Sequence, residues 1–394
     1  MLENLNRIPA DPLLKLITAF AADKRTDKMD LGVGVYKNAS GQTEVMQAVK
    51  RAEQTLVNEQ ESKSYVGLAG DMEFVEEIRK LTFGEFTRNE NHLTGLQTPG
   101  GSAALRLAGD LIKRSNPDAK IWIGLPGWSN HIPIFEMAGL KLETYNRYDL
   151  ETSSIAFDAV MSSLSAANRG DIILLQGCCD NPTGADFSLD EWKSLAELSN
   201  QIGLIPLIDL AYQGLGRGLE QDVAGLITIL GQIPEALVTI SCSKNFGLYR
   251  ERTGALFVLA SNHTQSSIAR SNLFSIARTT YSMPPDHGAA IVRQILQNSE
   301  EKAIWIAELK GMRDRIMAMR HSLAASLEIL DTQYKFIRSQ QGMFSLLPLS
   351  PDQIEQLRKS HGIYMAGNGR INLAGFNEVH IEKFASALNN LKDT

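Results

Sequence analysis

Between about residues 95 and 260, short apolar runs alternate with helix-like stretches, and this alternation constrains the fold more than any other feature of the chain. Residues 120–125, 171–175, 204–208, 236–240 and 255–260 read as buried strands, each an almost unbroken apolar run rich in Ile, Leu and Val. Helices lie between them, such as 189–201, opened by Ser188 and rich in Leu, Ala, Glu and Lys. Strands that are apolar on both faces and separated by helices predict an α/β fold whose large domain holds a mostly parallel sheet flanked by helices. Ligands of such sheets collect beyond the carboxyl ends of the strands. The polar residues just after each run are therefore the functional candidates.

A long amphipathic helix is expected over about 300–330, and beyond it the pattern changes. Residues 336–338, 342–347 and 362–365, with a helix near 351–360, suggest a smaller α+β unit. The first forty residues hold a helix and a strand-like stretch at 29–36 with no partner nearby in sequence. They are expected to pack on the C-terminal unit. The predicted division is a large domain over 44–311 and a smaller discontinuous α+β domain from 1–43 and 312–394.

Composition narrows the function. The 39 basic and 45 acidic side chains give a net charge of −6 without long like-charge runs, which argues against nucleic acid and anionic membrane as partners. No apolar run approaches the roughly 18 residues of a membrane span. The apolar stretch at 13–21 is broken by Lys15 and reads as an amphipathic helix instead of an export signal. Cys178, Cys179 and Cys242 form no C-x-x-C pair and no even framework, so reduced, buried thiols in a cytoplasmic protein are expected.

Three strand ends carry the chemistry. Asn181 follows the run at 171–175, Asp209 follows 204–208, and Lys244 follows 236–240, at spacings of 28 and 35 residues. A lysine at a buried strand end is costly when charged, and suppressing that charge makes its amine a nucleophile, as a Schiff-base lysine requires. A buried carboxylate such as Asp209 needs a cation or several donors. Together these groups match the demands of pyridoxal 5′-phosphate: a lysine for the aldehyde, a carboxylate for the pyridinium nitrogen, and donors from Asn181 and Tyr212 for the phenolic oxygen. A phosphate site is offered by Gly101 and Ser102, which open a helical run after Thr98-Pro-Gly, with Ser241 and Arg252 to complete it. Trp128, just past another strand, could stack on the cofactor ring. Taken singly, each feature also fits a plain structural use: a turn at Asn-Pro-Thr-Gly, a loop-capping Asp209, an N-cap at Ser102, a core Trp128.

The motifs Leu31-Gly-Val-Gly-Val-Tyr-Lys37, Tyr65-x-Gly-Leu-x-Gly70, Thr98-Pro-Gly-Gly101, Asn181-Pro-Thr-Gly184, Asp209-x-Ala-Tyr-Gln-Gly214 and Ser241-x-Ser-Lys-Asn-Phe-Gly-Leu-Tyr249 extend along the chain. With them the sequence resembles a fold-type I, class I pyridoxal-phosphate aminotransferase, in the branch of aspartate and aromatic-amino-acid aminotransferases. The resemblance implies that Lys244 anchors the cofactor and carries the proton, with Asp209 on the ring nitrogen and Asn181 and Tyr212 at the ring oxygen. It implies Gly101, Ser102, Ser241 and Arg252 at the phosphate, joined by Tyr65 of the other subunit of a homodimer, and Trp128 against the ring. Arg370 matches the arginine that grips the substrate α-carboxylate, with the backbone of Gly34 closing over it. Arg278 matches the arginine that reaches across the interface to a side-chain carboxylate.

One departure stands out. The family's His-Gly-Cys-Cys-His-Asn-Pro-Thr-Gly is Gln176-Gly-Cys-Cys-Asp180-Asn-Pro-Thr-Gly in this chain, although His131 is kept. In relatives the first of these histidines belongs to the network behind the ring-nitrogen aspartate. The cofactor's titration is therefore expected to differ from that of a Gln176→His variant.

Arg278 argues for dicarboxylic substrates and a glutamate/2-oxoglutarate couple, in a ping-pong transamination. The stretches 248–254, 208–213 and 278–285 look closer to bacterial aromatic-amino-acid aminotransferases, which suggests Phe, Tyr and Trp as substrates with Asp also accepted. The alternative is an aspartate aminotransferase with little aromatic activity. Other classes fit less well. A nicotinamide site lacks its third glycine, and no Gly-Lys-Ser/Thr marks a P-loop. A lyase would have less use for both Arg278 and Arg370, and a scaffold for the cofactor set. No metal is expected.

Overall fold

The apolar runs become the middle of one seven-stranded sheet. The computed structural model describes residues 1–8, 11–84, 86 and 90–391. In chain order the strands are β1 (Leu93–Pro99), β2 (Lys120–Leu125), β3 (Lys141–Asn146), β4 (Ile172–Gln176), β5 (Ile205–Leu210), β6 (Ala236–Ser241) and β7 (Thr253–Leu259). They lie side by side as β1–β7–β6–β5–β4–β2–β3. All neighbours are parallel except β7, which runs antiparallel to both β1 and β6. The five expected strands occur within two residues of their predicted ends; β1 and β3 are additional.

Burial on both faces explains the unbroken apolar runs. Ile121, Ile123, Ile172, Leu174, Leu207, Leu237 and Leu256 pack on one side against the helices Gly100–Ser115 and His263–Thr280. Trp122, Ile173, Leu175, Ile208, Val238, Ile240 and Phe257 belong to the core on the other side, with Trp192, Leu195, Ile291, Trp305 and Leu309. Successive residues thus alternate between two dry faces, the pattern of a covered parallel sheet.

The connecting helices begin where their sequences say they should. Ser188 and Glu191 form a reciprocal capping box that opens Leu189–Ile202, and Gly203 closes it in the left-handed conformation at φ +87°. Asn298 caps Ser299–Glu328, a thirty-residue helix that runs from the large sheet to the C-terminal elements. There the strands are short: Met29–Asp30 pairs in parallel with Ile363–Tyr364, and Phe344–Leu346 pairs antiparallel with Arg370–Asn372. The expected contact between the chain's two ends is thus made by main-chain pairing. Only Met29–Asp30 of the strand-like stretch at 29–36 is strand, because the following residues turn toward the large sheet. Phe336–Ser339 is a short helix.

Register positions the site. Asp209 on β5 lies directly opposite Gln176 on β4 and Thr239 on β6, so the carboxyl ends of three adjacent strands meet at one level.

Candidate active site

A cavity of about 250 Å³ lies over those strand ends. It is lined by Gly34, Gly101, Ser102, Trp128, Asn181, Asp209, Tyr212, Ser241, Lys244 and Arg252, ten of the predicted residues, together with Leu105, Gln176, Ala211, Ser243 and Tyr249. A larger hollow of about 480 Å³ opens at the amino ends of the parallel strands, against Leu111, Ile205, Leu237 and Ile268. Its position is opposite to the one at which parallel sheets bind ligands.

Asp209 is buried and supported on both oxygens. His131 Nε2 lies 2.9 Å from Oδ2, and Thr239 donates its hydroxyl to Oδ1 at 3.0 Å. Trp128 meets the His131 ring edge-on at 5.1 Å. Thr239 was missed by the sequence reading. Its signal was present, as the one hydroxyl inside Ala-Leu-Val-Thr-Ile, and the strand register turns it into a donor for the neighbouring strand's carboxylate.

Lys244 follows β6, with its Nζ 4.9 Å from the centre of the Tyr212 ring. Burial pulls its ammonium down from 10.5 to about 8; Asp209 opposes that shift, while Arg252 and Arg370 add to it. The loop that carries it is anchored from below. Phe246 stacks on Trp305 at 4.5 Å with ring planes 4° apart, and the Trp305 indole donates to Asn245 O at 2.8 Å.

Beside the lysine is a cradle of small groups. Gly100 has φ +78°, and a Cβ there would come within 2.7 Å of the Arg252 guanidinium. A Cβ on Gly101 would stand 3.1 Å from that of Ser241. Both glycines keep the start of helix Gly100–Ser115 open toward Ser241, Ser243 and Arg252. Free N–H groups at a helix start, hydroxyls and an arginine suit a phosphate. Lysine, carboxylate and cradle therefore fit pyridoxal 5′-phosphate, with Lys244 for the aldehyde, Asp209 for the ring nitrogen, and Gly101, Ser102, Ser241 and Arg252 for the phosphate.

Arg370 lies behind Asn181 of the lining. It donates to Asn181 Oδ1 at 3.0 Å and to Gly32 O at 2.5 Å, and its guanidinium lies 4.6 Å from the Phe344 ring centre. Its Nε is buried without a partner. No carboxylate among the described residues pairs with it at salt-bridge distance, and burial lowers its pKa. A buried cation without a counter-charge is a ready receptor for an anion. Asn181 also donates to the Tyr212 hydroxyl at 3.3 Å, and burial raises the Tyr212 pKa. Tyr249 accepts a hydrogen bond from Tyr36 N, and Asn372 donates to Val33 O and Val35 O, so the segment bearing Gly34 is tied to the cavity rim.

Three predicted residues stay outside the cavity lining: Arg370, which is bonded to Asn181 behind it, and two on the surface. Tyr65 is 92% exposed. Arg278 is exposed at the end of its helix, where it donates to Ser282 Oγ. Within one chain neither lines the cavity. Gln176 reaches the cavity but turns away from Asp209: its amide bonds Asp180 and Asn181, and His131 and Thr239 serve Asp209 instead. All three cysteines are buried and free, with thiols pushed up by burial.

A family model described as "Aminotransferase class I and II" matches residues 26–388. The chain is 49% identical over 391 residues to a tyrosine aminotransferase of Rhizobium meliloti (strain 1021), covering 99% of this chain and 100% of that protein. It is 42% identical over 392 residues to an aspartate aminotransferase of Salmonella typhi, covering 98% and 99%. A crystal structure of an aromatic-amino-acid aminotransferase from Burkholderia pseudomallei, covalently bound to pyridoxal phosphate, superposes with a TM-score of 0.96 at 36% identity, covering 99% of each chain.

Proposed function

The chain belongs to the class I and II aminotransferases, a pyridoxal-phosphate-dependent family, and we propose that it transaminates Phe, Tyr and Trp, accepts Asp, and uses 2-oxoglutarate and glutamate as the amino-group couple in a ping-pong cycle. The observation that carries this reading is Lys244, lowered to about 8 by burial and enclosed with Asp209 and the phosphate-type cradle in one cavity, with Arg370 bonded to Asn181 of its lining.

Bound pyridoxal phosphate supplies an electron sink that makes the substrate's Cα proton labile. The protein does the rest. Asp209, backed by His131 and Thr239, would hold the ring nitrogen, while Asn181 and Tyr212 would serve the ring oxygen. Ser241, Arg252 and the N–H groups at Gly101 and Ser102 would hold the phosphate, and Trp128 would pack on the ring. Arg370 takes the α-carboxylate as a two-pronged donor, and the backbone of Gly34 covers it. Fixing that carboxylate fixes which bond at Cα is presented for cleavage. Lys244, with a pKa near the operating pH, moves the proton between carbons as general base and then acid.

The placement of Tyr65 and Arg278 supports a homodimer in which each chain lends these two residues to its partner's cavity, Tyr65 to the phosphate and Arg278 to the side-chain carboxylate. The pairing of Met29–Asp30 with Ile363–Tyr364 supports the further proposal of a large domain, 44–311, and a small one, 1–43 with 312–394. Aromatic preference rests on the 49% identity to a tyrosine aminotransferase against 42% to an aspartate aminotransferase, and on an exposed Arg278 that, among the described residues, is hydrogen-bonded to Ser282 and to no carboxylate. The test is kcat/KM for Phe, Tyr, Trp and Asp against 2-oxoglutarate. The aromatic acids are expected to equal or exceed Asp. A wide lead for Asp would establish the alternative, an aspartate aminotransferase.

A further inference from the structure

Beyond Asn181 the cavity wall continues into a buried polar chain that none of the roles above uses. Asp180, 1% exposed, has all its acceptor directions filled. Its Oδ1 takes the Thr183 N–H at 3.1 Å and the Thr183 hydroxyl at 2.5 Å. Its Oδ2 takes Arg147 Nη1 at 3.0 Å and Gln176 Nε2 at 2.6 Å. Arg147 is buried as well, donating to Ala185 O at 2.6 Å and lying 4.9 Å over the Phe187 ring.

An ionised carboxylate only accepts, so it turns the NH₂ of Gln176 toward itself. The second Nε2 hydrogen then reaches Asn181 O at 2.9 Å, and Oε1 receives Asn181 N–H at 3.0 Å. One side-chain amide thus grips both polar groups of the Asn181 backbone. Asn181 in turn presents Oδ1 to Arg370 and Nδ2 to the Tyr212 hydroxyl. The bonds link the Arg147 cation through Asp180, Gln176 and Asn181 to Arg370, with Asp180 accepting from both Arg147 and Gln176 and Asn181 Oδ1 accepting from Arg370. A neutral amide at position 180 offers one acceptor oxygen where the carboxylate offers two, so its NH₂ would face either Arg147 and the Gln176 NH₂ or the Thr183 N–H.

We propose that Asp180 is a positioning residue for substrate-carboxylate binding: held by Arg147, it sets the Gln176 amide, which sets Asn181, which aligns Arg370 and Tyr212. The inference deepens the aminotransferase reading and rests on it.

The test is Asp180→Asn in the holoenzyme, with three readouts. Equilibrium binding of maleate and of 3-phenylpropionate, which share only a carboxylate for Arg370, is expected to weaken together by about 10-fold, the scale of one misaligned charged hydrogen bond. KM for Phe and Asp is expected to rise in parallel, more than kcat falls. The midpoint of the pH titration of the holoenzyme's visible band is expected to move, because Asn181 and Tyr212 face the ring oxygen. A lowered melting temperature with unchanged inhibitor binding and an unchanged midpoint would overturn the proposal and leave Asp180 with packing alone. Should Asp180→Asn fail to fold, Gln176→Met cuts the same link and leaves Arg147, Asp180 and Thr183 joined; equal inhibitor affinity in that variant would overturn it too. A wild-type protein with no visible band would instead sink the parent reading.

Discussion

The two walls of the cavity are built in opposite ways. The floor is drawn largely from one chain: Asp209 has both oxygens supported, Lys244 sits on a loop clamped by Phe246 and Trp305, and the glycines at 100 and 101 hold the cradle open. The substrate side is unfinished. Arg370 is buried with no carboxylate at salt-bridge distance among the described residues, and Arg278, expected at the substrate's far end, stands on the surface, as does Tyr65, expected at the phosphate. The contrast teaches that cofactor chemistry is written into the sheet, where register fixes it. In the proposed dimer, specificity is left to groups that the second chain would bring in.

Breaking that contrast begins with Arg278. Arg278→Leu is expected to lower kcat/KM for Asp by roughly 100-fold, the cost of leaving a carboxylate without its cation, and for Phe by less than about 5-fold. Equal losses for both substrates would place Arg278 in the shared machinery instead. The cross-subunit assignment is sharpened by mixing Lys244→Ala and Arg278→Leu chains. Hybrid dimers are expected to recover Asp activity at one site, whereas each parent alone does not.

A smaller effect probes the floor. Thr239→Val keeps the shape of β6 but strips Asp209 of one donor. Loss of one hydrogen bond to a buried charged group, about 1–2 kcal/mol, predicts a cofactor dissociation constant about 5–30-fold weaker, measured by absorbance titration of the apoprotein. An unchanged constant would mean that His131 alone supports the carboxylate.

The gentlest probe is pH. In the apoprotein Lys244 has a folded pKa of about 8 against 10.5 for the free side chain. Its charge therefore opposes folding fully below pH 8. The penalty is relieved as pH rises from 8 to 10.5 and is gone above that. Lys244→Met is expected to stabilise the apoprotein at pH 7 by on the order of 1–3 kcal/mol, at 1.36 kcal/mol per pK unit, with no gain near pH 11. Denaturant midpoints at the two pH values read the difference, and a constant gain would detach it from the lysine's charge.

The same contrast governs what the sequence made legible. The inner strands β2, β4, β5, β6 and β7 are buried on both faces, so composition alone marked them. The edge strand β3 alternates charged and apolar residues. In β1 the buried Thr94, Gln97 and Thr98 hide the pattern, since Gln97 spends its amide on Pro285 O and Asp71 N. Lys244, Asp209 and Asn181 could be found because strand ends are recognisable. Thr239 could not, because its partner is set by register across two strands. The polar chain pairs Asp180 with Arg147, 33 residues away, and passes on through the Gln176 amide, and only geometry reveals it.

The central claim is that Lys244, Asp209 and Arg370 form one transamination site, and its most direct test is a half-reaction. Holoenzyme mixed with glutamate and no keto acid is predicted to release one equivalent of 2-oxoglutarate per chain while the amino group stays on the enzyme, with loss of the visible band. Added 2-oxoglutarate should restore the band, and Lys244→Ala should do neither. Release of ammonia or carbon dioxide, or a Lys244→Ala protein that behaves like wild type, would contradict the account.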